Sequence, residues 1–276
     1  MRKQVRLGFF LLAMSVSVLS VPAMYPVAYA EGTKAAIDTS APSGINSPQD
    51  LIQWMTYYYL HPQPDLLAPA VLYADQTITP DHTSLLQQGQ APLTAFVSRV
   101  FAQNPDKIPG YIAQLGSLSS KGKKIVWSAL WWSNTVQGKE QLSKMLLTLP
   151  QKDQDVVMAQ MAQPAEPIER MEIRSPEVLD ELWGAFSATG DDKYVTRLMT
   201  ALPWVYNSDG DYNKLTIGGA AKWSLASNAQ QHPRVMTVCM KARETQPQLR
   251  KVLDQIIGDV KKPAAPTPKI VTPTAQ

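Results

Sequence analysis

The stretch that most constrains the fold of this chain is Ser175 to Pro203, SPEVLDELWGAFSATGDDKYVTRLMTALP. Leu179, Leu182, Trp183 and Phe186 recur at i, i+3, i+4 and i+7, which stacks them into one apolar stripe on a helix. Tyr194, Val195, Leu198, Met199 and Leu202 repeat that spacing after Thr189-Gly190-Asp191-Asp192. Gly190 can adopt positive φ and end the first helix. Asp191 or Asp192 can cap the second and match its dipole. Ser175-Pro176-Glu177 opens the unit with a cap, a proline at the first helical position and an early acid. The pattern predicts two antiparallel helices.

The N-terminus reads as a secretory signal peptide over residues 1–30. Arg2, Lys3 and Arg6 precede the apolar run Leu7 to Val21, and Ala28-Tyr29-Ala30 supplies a small-x-small cleavage pattern before Glu31. That apolar run is shorter than the ~20 residues a helix needs to span a bilayer. The expected product is therefore periplasmic or secreted, with no stable membrane insertion after cleavage. Of 26 Lys plus Arg, three lie in the first thirty residues, where no acid occurs, leaving 23 against 23 Asp plus Glu. A balanced chain with no basic-aromatic patch argues against nucleic-acid binding. Cys239 is the single cysteine, so no internal disulfide supports the fold.

Residues 31–46 are small and polar and read as a flexible lead-in. A helical half is expected over 47–162, a Pro- and charge-rich linker over 163–174, a second helical half over 175–260 and a disordered Pro/Thr-rich tail over 261–276. Ser47 and Asp50 form a capping-box-like start. Residues 76–90 hold a proline and a glycine, and at most a short helical turn is expected there. Leu130 to Pro150 resembles Leu182 to Pro203 when one residue is inserted. Strand-like alternation is confined to short runs, so the fold class is all-α: paired antiparallel helices in a helical-repeat or solenoid-like array. The irregular spacing leaves an irregular all-α domain as the alternative.

LWGAFSATGDDKYV and AAKWSLASNAQQHPRV carry a resemblance to a family of exported all-helical bacterial proteins of uncharacterised function. The resemblance covers roughly the last third of the chain. It implies a helical fold and a bacterial origin, and brings no activity, cofactor or catalytic residue with it.

Chemistry-bearing residues are sparse. His61 and His232 each precede a proline at a helix boundary, where a ring caps or packs, and His82 lies in a loop. None has a partner at zinc-pair spacing. His232 and Cys239 lie two turns apart, about 10.5 Å along a helix axis, too far for a thiolate–imidazole pair. Cys239, among Val235, Val238 and Met240, reads as an inert buried thiol. Asn207, Asp209, Asp211 and Asn213 alternate oxygen ligands but lack the glycine and glutamate of an EF-hand. No catalytic or metal-binding residue and no cofactor is therefore assigned. Trp54, Trp183 and Trp223 are expected in the core. Trp131 and Trp132 project about 100° apart, so both cannot face one core stripe, and the pair is the candidate binding site. The expected function is binding or scaffolding of a protein or other envelope component. The alternative is a periplasmic hydrolase or cell-wall-modifying enzyme with a site assembled from distant residues.

Overall fold

A computed structural model describes residues 37–77, 85–116, 118–206 and 209–261. The signal peptide, most of the lead-in, His82, Asn207 and the tail beyond residue 261 lie outside the described residues. Among those described there are twelve α-helices and no strand. They are α1 (Pro48–Tyr57), α2 (Leu67–Gln76), α3 (Leu85–Gln103), α4 (Ile108–Leu115), α5 (Ser120–Ser133), α6 (Val136–Leu146), α7 (Gln151–Met161), α8 (Pro176–Thr189), α9 (Asp192–Met199), α10 (Tyr212–Gln231), α11 (Pro233–Thr245) and α12 (Arg250–Lys261). None of the described helices is long and apolar enough to cross a membrane.

Local chemistry sets most helix ends. Ser47 Oγ accepts from the Asp50 amide, and Asp50 in turn accepts from the Asn46 amide. Ser119 caps α5, which closes on Asn134 in the left-handed region at φ 52°. Gly190 ends α8 at φ 67°, and the Asp191 carboxylate accepts from the Lys193 amide to start α9. Ser175 holds the cap position of α8 with extended backbone, but its side chain makes no capping bond.

The buried apolar side chains form two clusters. The first gathers Trp54, Tyr58, Phe96, Phe101, Tyr111, Trp127 and Leu130 from α1 to α7. The second gathers Leu182, Phe186, Tyr194, Leu198, Leu225, Val235 and Leu253 from α8 to α12. Within residues 163–174, Ile168 and Ile173 are buried in the second cluster.

The two clusters meet where α3 packs along α8, although four helices intervene in sequence. Gly184 makes this approach possible. A Cβ there would come within 2.0 Å of the Pro92 carbonyl oxygen. Ala95 of α3 belongs to the second cluster and Ala188 of α8 to the first, so each helix reaches into the other's core. α3 also takes in the end of the 76–90 stretch, where at most a short helical turn was expected. It begins at Leu85 and runs through Gly89 and Pro92. Proline costs a helix one hydrogen bond and a clash, and the long contact with α8 holds the helix through it.

Candidate functional site

The two tryptophans singled out from the sequence are turned inward. Trp131 is buried, with the Lys139 ammonium 5.9 Å from its ring centroid. Trp132 is half-buried and packs against both clusters, and its carbonyl accepts from the Arg99 guanidinium of α3. Neither ring is exposed; the pair divides between one core and the junction of both.

Trp223 corrects the expectation of a core ring, being 49% exposed. The reason is the buried face of α10, which runs through Ile217, Gly218, Ala221, Leu225 and Ala229. Gly218 lets that face approach the turn before it, since a Cβ would lie 2.6 Å from the Val205 amide nitrogen. Trp223, two residues beyond Ala221, points away from it. It shares the outward face with Tyr212, Thr216 and Gly219, all exposed, with Tyr212 at 82%. Tyr212 and Trp223 are three turns apart, about 16 Å along the axis. Between them a Cβ on Gly219 would meet nothing within 4 Å. The result is an open strip with an aromatic ring at each end. The spacing 212, 216, 219, 223 is readable in the sequence, and choosing Leu215, Ala221 and Leu225 as the buried set leaves Trp223 on the other side.

A polar groove of about 320 Å³ opens on another side of α10, against residues 172–174, α9 and the turn at Trp204. Ile173 and Ile217 are its buried apolar members, and Trp204 is half-buried. Arg174 pairs with Glu172 at 2.5 Å and Lys214 with Asp211 at 3.7 Å. Asp211 also caps α10, accepting from the Lys214 amide. Asn213 donates to the Arg174 carbonyl at 3.0 Å. Asp211 thus serves capping and lysine pairing, Glu172 pairs with an arginine, and Asn213 tethers the loop. Among the described residues no group of three or more His, Cys, Asp or Glu is placed to hold a metal ion.

His232 joins α10 to α11 and is 1% exposed. The rings of Tyr57, Tyr59 and Phe186 surround it at centroid distances of 5.4, 5.7 and 5.7 Å. Its Nδ1 is hydrogen-bonded to the Tyr59 hydroxyl at 3.1 Å, and burial pushes its pKa down to about 4. Tyr59 itself lies against the Gly190 backbone, and its amide donates to the Ser187 carbonyl. His232 is thus a neutral packing group that joins α1 to the second cluster. Cys239 is fully buried and its thiol is pushed up to about 12, which suppresses the nucleophilic thiolate. His61 is exposed on the turn after α1.

Sequence reasoning did not single out Asp180 and Glu181, adjacent and half-buried on α8. Desolvation, with the charge of Glu177 adding to it, raises Asp180 to about 7. Desolvation and then the charges of Asp180 and Glu177 raise Glu181 to about 7. Acids that cap no helix and break no apolar stripe leave no signal of burial in the sequence.

No protein-family model, curated protein or solved structure matches this chain.

Proposed function

We propose that the chain is an exported helical-repeat protein that works by binding or scaffolding a protein or other component of the bacterial envelope, without catalysis. The strip on α10 carries this reading. Exposed aromatic side chains set around an open floor are the residue types that anchor interfaces. The signal-like first thirty residues support the envelope setting. The repeat reading draws support from helices adjacent in sequence that pack together, α5 with α6, α8 with α9, and α11 with both α10 and α12.

The test is crosslinked capture from an envelope extract with the mature chain, alongside Tyr212→Ala and Trp223→Ala. Each substitution is expected to cost capture about tenfold or more, the scale of a truncated anchor, with the far-UV circular dichroism unchanged. Capture that survives both substitutions counts against the α10 strip. One observation favours the hydrolase reading: Asp180 and Glu181 hold protons near neutral pH, which suits a general acid. Loss of an envelope phenotype in a folded Asp180→Asn or Glu181→Gln variant, with capture intact, would transfer the assignment to an enzyme.

A further inference from the structure

The charges of the polar groove are unequally settled. Arg174 and Lys214 each have a carboxylate, and these pairs are largely solvated. Arg197, projecting from α9 and half-buried, has none within 4 Å among the described residues. One of its terminal nitrogens donates to the Met171 carbonyl at 2.7 Å, and its Nε is buried with no acceptor. Glu169, an acid on the preceding segment, pairs through Oε1 with Lys193 at 3.1 Å; its Oε2 is buried without a partner and forms no ion pair with Arg197.

A buried donor without an acceptor costs free energy, and a withdrawn guanidinium without a counter-charge costs more. The Nε itself is closed off, but Arg197 lines the groove, and an anion entering there would supply the missing counter-charge. A carboxylate suits it, because two carboxylate oxygens match two guanidinium nitrogens side by side. The apolar part of the wall comes from Ile173, Ile217 and the Trp204 ring, and the rest is polar. A hollow of about 320 Å³ suits a ligand the size of one or two amino-acid residues.

We propose that this groove binds a carboxylate borne on an apolar body, with Arg197 as its counter-ion and Ile173, Ile217 and Trp204 taking the apolar part. This rests on the binding reading of the chain, but on a different surface from the α10 strip. A free organic acid and the C-terminus of a peptide present the same chemistry.

The experiment titrates the mature protein calorimetrically with N-acetyl-leucine, N-acetyl-leucinamide, acetate and an acetylated Gly-Ala-Leu peptide with a free C-terminus. Saturable binding of N-acetyl-leucine is expected, at least about tenfold tighter than the amide or acetate. Tighter binding of the peptide assigns the site to a peptide C-terminus, and equal binding assigns it to a small acid. Arg197→Lys, which keeps the charge but loses the fork, is expected to weaken N-acetyl-leucine about tenfold. Arg174→Gln should change it less than about threefold, as a solvated pair on the rim. Equal affinity for acid and amide, no saturation by either acid, or an unaffected Arg197→Lys variant overturns the proposal. The acid–amide comparison on the unaltered chain stands even if the variant folds poorly. Trp223→Ala separates the two surfaces: lost envelope capture with N-acetyl-leucine binding retained indicts neither proposal, whereas retained capture with absent acid binding removes the groove alone.

Discussion

The two halves of the molecule solve the same packing problem with different side chains. Around α1 and α3 the core is built of rings: Trp54 meets Phe96 at 4.9 Å and Tyr58 at 5.4 Å, both edge-on, and Phe101 stacks on Tyr111 at 6.1 Å. From α9 to α12 it is built mostly of Val, Leu, Ile and Ala, with glycine where helix and turn come closest. Rings fill wide gaps and prefer edge-to-face contact; small residues let backbones approach. The second cluster's half also holds the less settled chemistry: half-buried Asp180 and Glu181, Arg197 with no ion pair among the described residues, and the exposed strip of α10.

The largest expected effect contrasts one tryptophan from each side. Trp54 is 2% exposed and its Nε1–H donates to the Gln63 carbonyl at 3.3 Å. Trp183 is 9% exposed and its Nε1 is buried without an acceptor. Either change to alanine should cost ~3–5 kcal/mol in urea unfolding, with Trp54 at the upper end. Phenylalanine sharpens the contrast. Trp54→Phe loses a hydrogen bond and should cost about 1 kcal/mol more than Trp183→Phe, which removes an unsatisfied donor. Equal costs would erase the distinction between the two cores.

A smaller effect is expected at the seam. Gly184→Ala drives a Cβ into the Pro92 carbonyl and should cost up to ~3 kcal/mol, the overpacking range. Gly219→Ala, facing open space in mid-helix, should be neutral or stabilise by ~0.5–1 kcal/mol. Thermal melts of the two variants test this. A tolerated Gly184→Ala would mean that the halves are not locked at α3 and α8.

The last contrast concerns pH. His232 binds its proton less readily when folded, its pKa falling from 6.5 to about 4. The unfolded chain therefore takes up more protons between those values, and this group's stabilisation is lost as pH falls through that window. Asp180 and Glu181 work in the opposite direction. They rise from 3.8 and 4.5 to about 7, so the folded chain holds more protons and loses stability as pH rises from about 4 to 7. In urea unfolding, the advantage of the unaltered chain over His232→Gln should therefore grow from pH 4 to 6.5 and then level off. The Asp180→Asn/Glu181→Gln double variant should gain on the unaltered chain toward pH 7.5 and lose that gain at pH 4. A pH-independent difference in either series would show that the groups are solvated.

The α8–α9 hairpin was legible because its stripe, glycine stop and aspartate cap agree, and the structure has Gly190 and Asp191 in those roles. The start of α3 was not. Gly89 and Pro92 argue locally for a break, and packing against α5 and α8, both further along the chain, overrules them. The site divides in the same way. Caps and buried cores follow local periodicity, which is why the Asp191 cap and the inert Cys239 are legible. The groove joins residues 172–174, 197–204 and 211–217, and no spacing rule links an arginine on one helix to isoleucines on two other segments. Trp131 and Trp132 show the converse limit. Adjacent rings must diverge, but periodicity cannot tell an outer surface from a second core.

The bond between Tyr59 and His232 also has a consequence for the order of assembly. It spans 173 residues. A chain synthesised from its N-terminus makes α1 early, and domains generally form as their residues emerge. Closing so long a loop carries an entropic cost that must be met before the contact contributes. A chain stopped after α7 but short of residue 232 holds every ring of the aromatic cluster, but Tyr59 then has no imidazole on which to close.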